Sequence, residues 1–69
     1  MNRIEDYQAF AAIVEKRSLT AAARHLGRSL QSVSRSLAAL ERDVGIGLIR
    51  RTTRRLSPTD AGLAFYRAG

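Results

Sequence analysis

Two apolar stripes of helical period, separated by one glycine, constrain this chain more than any other feature. Leu19, Ala22, Ala23 and Leu26 recur on one face of a short segment. Leu30, Val33, Leu37, Leu40 and Val44 recur at steps of three and four in the next. At 3.6 residues per turn, each set forms one line along a helix. Between them, Gly27 is suited to the positive φ that ends a helix, and the Ser29 hydroxyl is suited to capping the next. Two amphipathic helices joined by a short turn containing glycine predict a helix-turn-helix. Ala22 and Ala23 carry so little side chain that the two helices can cross closely.

The face of the longer helix opposite its leucines carries Gln31, Arg35, Ala38 and Arg42, flanked by Ser32 and Ser34. No acid lies along it before Glu41 and Asp43. Gln and Arg can read base edges in a DNA major groove, while Ser and a helix N-terminus can hold phosphates. An ordinary solvated face is the competing reading of the same residues.

Upstream, residues 3–16 read as a first helix with Ile4, Tyr7, Phe10, Ala11, Ile13 and Val14 on its apolar side. Two helices cannot enclose a core, and this one supplies the third member. Glu5 and Asp6 suit the positive end of its dipole, and Lys16 and Arg17 the negative end. Either Ser18 or Thr20 caps the second helix. Downstream, Gly45 suits the end of the third helix, and Ile46-Gly47-Leu48-Ile49 returns the chain to the core. Arg50 to Pro58 then holds four arginines and no acid. Arg51-Thr52 and Leu56-Ser57 are predicted as short strands of a wing, with Thr53-Arg54-Arg55 at its tip. Such a wing reaches a narrow minor groove or the flanking phosphates; a solvated basic loop is the alternative. Thr59 caps a fourth helix with Asp60 in its first turn. Phe65 and Tyr66 are adjacent, and one narrow stripe does not take both. One of them is therefore expected at the surface, as a dimer contact.

With 69 residues, the chain makes one small domain. Its net charge of +6 comes almost entirely from arginine, Lys16 being the only lysine. Arginine's planar fork suits phosphate and guanine. There is no cysteine, and His25 is the only histidine. A disulfide framework and a thiolate metal site are therefore excluded; with one histidine and no paired carboxylates in a plausible cleft an enzyme is disfavoured, and no cofactor, metal or catalytic residue is expected. RNA binding is disfavoured because no aromatics interleave with the basic residues as stacking platforms. No apolar run approaches membrane-spanning length, and no signal-peptide core precedes Glu5. No membrane association is expected, and the natural location is the cytoplasm.

Read together, Ser18-Leu19-Thr20-Ala21-Ala22-Ala23-Arg24-His25-Leu26, Ser34-Arg35, Leu40-Glu41, Gly45-Ile46-Gly47-Leu48-Ile49, Arg51-Thr52 and Leu56-Ser57-Pro58-Thr59-Asp60-Ala61-Gly62 resemble the N-terminal DNA-binding domain of LysR-type transcriptional regulators. The resemblance spans essentially the whole chain, in order and spacing. It implies a mainly α, winged helix-turn-helix fold: a three-helix core, a short two-stranded β wing and the start of a linker helix. The winged domain would occupy residues 1–58, with the helix-turn-helix at about 18–37. Residues 59–69 would begin the linker helix that pairs two subunits into a homodimer. The family's effector-binding domain, through which a small molecule would act, would lie outside these residues. One departure is local. The family often places Gln directly after the capping serine; here Leu30 stands there and Gln31 follows. Leu30 then either packs inward or meets a thymine methyl.

These readings converge on sequence-specific binding of double-stranded DNA, with residues 30–44 in the major groove. Gln31 and Ser32 are the candidates for base edges, and Ser34 and Arg35 for a base or a phosphate. Thr20 and Ser29 are the candidates for phosphates. Arg54 and Arg55 would enter or border the minor groove, supported by Arg51 and Thr52. The rival reading is a docking module whose basic face binds an acidic protein.

Overall fold

A computed structural model describes residues 3–51 and 56–68. The elements run α1 (Arg3–Lys16), α2 (Leu19–Leu26), α3 (Leu30–Val44), β1 (Ile49–Arg51), β2 (Leu56–Pro58) and α4 (Asp60–Ala68). The core is built from Ala9, Phe10, Ala12 and Ile13 of α1, Ala22 and Ala23 of α2, Val33, Leu37 and Leu40 of α3, and Leu48. Both stripes around Gly27 thus face inward at their centres, as their period predicts. At its ends the α3 stripe is not buried: Leu30 and Val44 are exposed, because the helix runs past the core in both directions.

The helix ends follow from local chemistry. Ser18, not Thr20, caps α2, its hydroxyl accepting from the Ala21 amide at 3.2 Å. Ser29 caps α3 in the same way, accepting from the Ser32 amide at 3.1 Å. Gly27 and Gly45 close α2 and α3 with φ of 68° and 76°. Arg17 makes the same left-handed turn after α1, with φ of 57°, and bears the Cβ clash that glycine avoids.

Two expectations for α1 are corrected. Ile4 is exposed, and Asp6 is buried instead of standing at a solvated helix start. The first turn of α1 lies beyond the apolar core, and the α2–α3 turn comes over it: Arg28 Nη1 donates to the Glu5 carbonyl at 3.4 Å.

The wing strands pair antiparallel, Ile49 with Pro58, Arg50 with Ser57 and Arg51 with Leu56. The first strand starts two residues earlier than expected, since Ile49 packs against the core and is part of the ladder. Pro58 sits at the strand end, where its missing N–H matters least. The predicted tip, Thr53-Arg54-Arg55, and Thr52 lie outside the described residues. Thr59 caps α4, accepting from the Gly62 amide at 2.9 Å while donating to the Gly47 carbonyl at 2.8 Å. Thr59 thereby ties the start of α4 to the segment before the wing.

The aromatic residues of α4 correct a further expectation. Neither Phe65 nor Tyr66 is exposed; both are half-buried. Their rings meet Phe10 edge-on at centroid distances of 5.7 and 6.4 Å. Phe65 also lies 5.7 Å from Tyr7. Tyr66 reconciles the crowding by keeping its hydroxyl at the surface, where it donates to Glu15 Oε2 at 2.8 Å. That bond to Glu15 raises the phenol's pKa from its ordinary 10.0.

Two substitutions test this packing. Gly62 is buried, and a Cβ there would collide with the backbone carbonyl of Leu48. Gly62→Ala is expected to destabilise the fold by about 1–3 kcal/mol, the usual range for overpacking, in urea unfolding. Arg17→Gly is expected to stabilise it by about 0.5–1 kcal/mol, relief of the left-handed strain exceeding glycine's unfolded-state entropy.

Candidate nucleic-acid interface

The apolar side of α3 decides what its other side presents. With Val33, Leu37 and Leu40 inward, Gln31, Arg35, Ala38 and Arg42 lie on the outward side, all four exposed. Their spacing of four, three and four puts them on one line along the helix. No part of the described chain packs over that line.

The nearby acid is turned away. Glu41, expected at the far end of this face, points to the start of the wing. Its Oε2 accepts from the amides of Leu48 at 2.7 Å and Ile49 at 3.1 Å. These are charge-assisted bonds, and they leave the carboxylate committed to the fold. Glu41 therefore fixes the exit of the chain toward β1 and takes its own charge off the α3 front.

Arg28 is a residue whose role the sequence alone did not signal. It lies in the turn and is held by hydrogen bonds on several sides. Its Nε donates to Ser32 Oγ at 3.0 Å. Its Nη2 reaches Ser32 Oγ at 2.7 Å, the Ser32 carbonyl at 3.1 Å and Ser36 Oγ at 2.5 Å. One guanidinium thus braces the first two turns of α3 and, through the Glu5 carbonyl, ties them to α1. A hint was present in the spacing: residues 28, 32 and 36 step by four, and Ser36 places a small polar group on the buried side. Beside this brace, Asp6, Arg28, Ser32, Arg35, Ser36 and Arg42 line one open depression. Asp6 Oδ2 is buried there without a hydrogen-bond partner among the described residues. Arg28, Arg35 and Arg42 line the same depression as this carboxylate.

The predicted site residues separate into groups. Thr20 is exposed in the first turn of α2, and Ser29 lies at the α3 cap. Gln31 and Arg35 are exposed on the α3 line, and Ser34 is half-buried beside it. Ser32 is also half-buried, and its oxygen already accepts from Arg28. Its own O–H is what it has left to give. Arg51 lies in β1, its partner being Leu56. Thr52, Arg54 and Arg55 are outside the described residues.

A tri-helical core, an exposed basic third helix and a two-stranded hairpin after it define a winged helix-turn-helix. Residues 4–63 match the family model described as bacterial regulatory helix-turn-helix protein, lysR family. The chain belongs to that family. It is 42% identical over 66 residues to the probable HTH-type transcriptional regulator LtrA of Klebsiella pneumoniae, covering 96% of this chain and 21% of that protein. It is 52% identical over 54 residues to the HTH-type transcriptional regulator PtxR of Pseudomonas aeruginosa, covering 78% of this chain and 17% of that protein. The chain thus spans about a fifth of the length of these curated relatives. Among solved structures it is similar to CbnR_DBD in its DNA complex, with a TM-score of 0.90 at 34% identity, over 99% of this chain and 77% of that one. It is comparably similar to BenM_DBD in complex with benA site 1 DNA, with a TM-score of 0.89 at 34% identity, over 99% and 75% of the two chains.

The brace makes a measurable demand on the fold. Arg28→Ala leaves the buried Ser36 hydroxyl, and Ser32, without the guanidinium that donates to them. It is expected to lower stability by about 1–3 kcal/mol in thermal unfolding. Arg28→Lys is expected to restore only part of the loss, because an ammonium lacks the fork that spans two serines and a carbonyl.

Proposed function

We propose that this chain binds double-stranded DNA sequence-specifically, as the DNA-binding domain of a transcriptional regulator. The observation that carries the reading is the α3 front: Gln31, Arg35 and Arg42 stand on one outward line, with Glu41 folded away from it. A helix about 10–12 Å across with its side chains fits a major groove about 12 Å wide. Gln31 and Arg35 then face base edges, Gln suited to adenine and Arg to guanine. Ser34 lies beside them for a base or a phosphate, and Ser32 contributes its O–H. Thr20 and Ser29, at the starts of α2 and α3, hold phosphates together with the helix dipoles. The wing brings Arg51, Thr52, Arg54 and Arg55 to the minor groove or its phosphates. The DNA complexes of CbnR_DBD and BenM_DBD favour duplex DNA over an acidic protein as the partner.

The larger protein follows the same line. The relatives named above are transcriptional regulators, so the chain is assigned no enzymatic role. Among the described residues, no helix is long and apolar enough to cross a membrane. A bacterial regulator of this kind works in the cytoplasm. We place residues 1–58 as the winged domain and the helix capped by Thr59 as the start of a homodimer contact. Any small-molecule effector would act through a further domain of the longer regulator. Two linked copies reading paired half-sites bind more tightly than one, because linkage raises the effective concentration of the second.

Duplexes enriched from a random DNA pool supply the test, with affinities measured by fluorescence anisotropy at several salt concentrations. Arg35→Ala is expected to lose about 1–3 kcal/mol on the enriched duplex and less on a scrambled one, as for a bidentate base contact. An equal loss on both would assign Arg35 to phosphate. Replacing Arg54 and Arg55 by Ala is expected to reduce the slope of log K against log salt by about 0.9 for each phosphate that the wing no longer neutralises. An unchanged slope would remove the wing from the interface.

A further inference from the structure

The first turn of α3 holds a side chain that neither the core nor the polar front explains. Leu30 is 48% exposed. It stands three residues before Val33, on the same side of the helix by period, yet it is not among the apolar residues packed on the core. Leu30 and Gln31 are both exposed at the N-terminal end of this turn, while Val33 at its other end is buried. No acid lies in it. A large aliphatic group is therefore held in water at the tip of a basic helix, beside Gln31.

The other exposed aliphatics of this helix region are Val44 and Ile46. Leu30 and Val44 stand at opposite ends of α3, about 21 Å apart at 1.5 Å per residue. Val44 and Ile46 are therefore not neighbours of Leu30. What does adjoin Leu30 is the surface assigned above to the major groove. The apolar feature of that groove is the C5-methyl group of thymine; the other groups there are hydrogen-bond donors and acceptors.

We propose that Leu30 is a specificity-determining residue that recognises the C5-methyl of a thymine beside the base faced by Gln31. The inference rests on α3 entering the major groove. Leu30 offers no side-chain donor or acceptor, so its contribution is to favour thymine over any base lacking the methyl.

Replacing thymine by 2′-deoxyuridine removes that methyl and leaves every donor and acceptor in place. In an enriched duplex, each thymine is replaced singly and binding of the chain is measured. At one position, uracil is expected to weaken binding about three- to fivefold, the scale of one buried methyl. Leu30→Ala is expected to abolish that difference, Leu30→Met to retain it, and Gln31→Ala to leave it intact. Because Leu30 is outside the core, circular dichroism is expected to show these variants folded. Binding that is indifferent to uracil at every position, or a uracil effect that persists in Leu30→Ala, overturns the assignment while DNA binding stands. Failure of the wild-type chain to enrich any duplex overturns both readings together.

Discussion

The rotation of α3 about its own axis is set by three side chains. Val33, Leu37 and Leu40 are buried in one cluster with the α1 residues Phe10 and Ile13 and the small pair Ala22 and Ala23. No other rotation buries them together, since they occupy one line of the helix. Everything presented to solvent by α3 follows from that choice. The alanines matter because a larger residue on α2 would push the two helices apart and release the constraint. At this chain length a single core has little reserve, so the same packing supplies both stability and orientation.

Burial fixes rotation but leaves the helix free to slide and tilt, and polar contacts deal with those freedoms. Arg28 holds the beginning of α3 to α1 through Ser32, Ser36 and the Glu5 carbonyl. Glu41 holds the far half to the chain entering β1. Thr59 and the close approach of Gly62 to Leu48 then carry the constraint on to α4. The wing strands and α4 are thus referenced to α3. A binding surface assembled this way is preorganised, and little ordering of its backbone remains to oppose association.

The helix-turn-helix was legible because its determinants are local. Period, left-handed glycines and capping serines act within a turn or two of themselves, and the structure places them at Gly27, Gly45, Ser18 and Ser29. What could not be read was tertiary. Asp6 is buried where the α2–α3 turn, far along the chain, comes over the first turn of α1; no local pattern in α1 carries that fact. Ser32 faces sideways on any helical wheel, but the wheel does not show a guanidinium already holding its oxygen. Phe65 and Tyr66 share the core because Tyr66 lies ring inward and hydroxyl outward, an option that a one-stripe reading leaves out. The outward line of Gln31, Arg35 and Arg42 was legible for the converse reason: it is the complement of the apolar stripe.

Contact between DNA and the outward line of α3 is open to direct measurement. Amide chemical-shift mapping of the isotopically labelled chain, titrated with an enriched duplex, addresses it residue by residue. The account predicts the largest shifts at the start of α3 and along Gln31, Ser34 and Arg35, with the amides of Phe10 and Ile13 nearly unmoved. Shifts concentrated on α4 or the outer side of α1, with Gln31 and Arg35 silent, would contradict it.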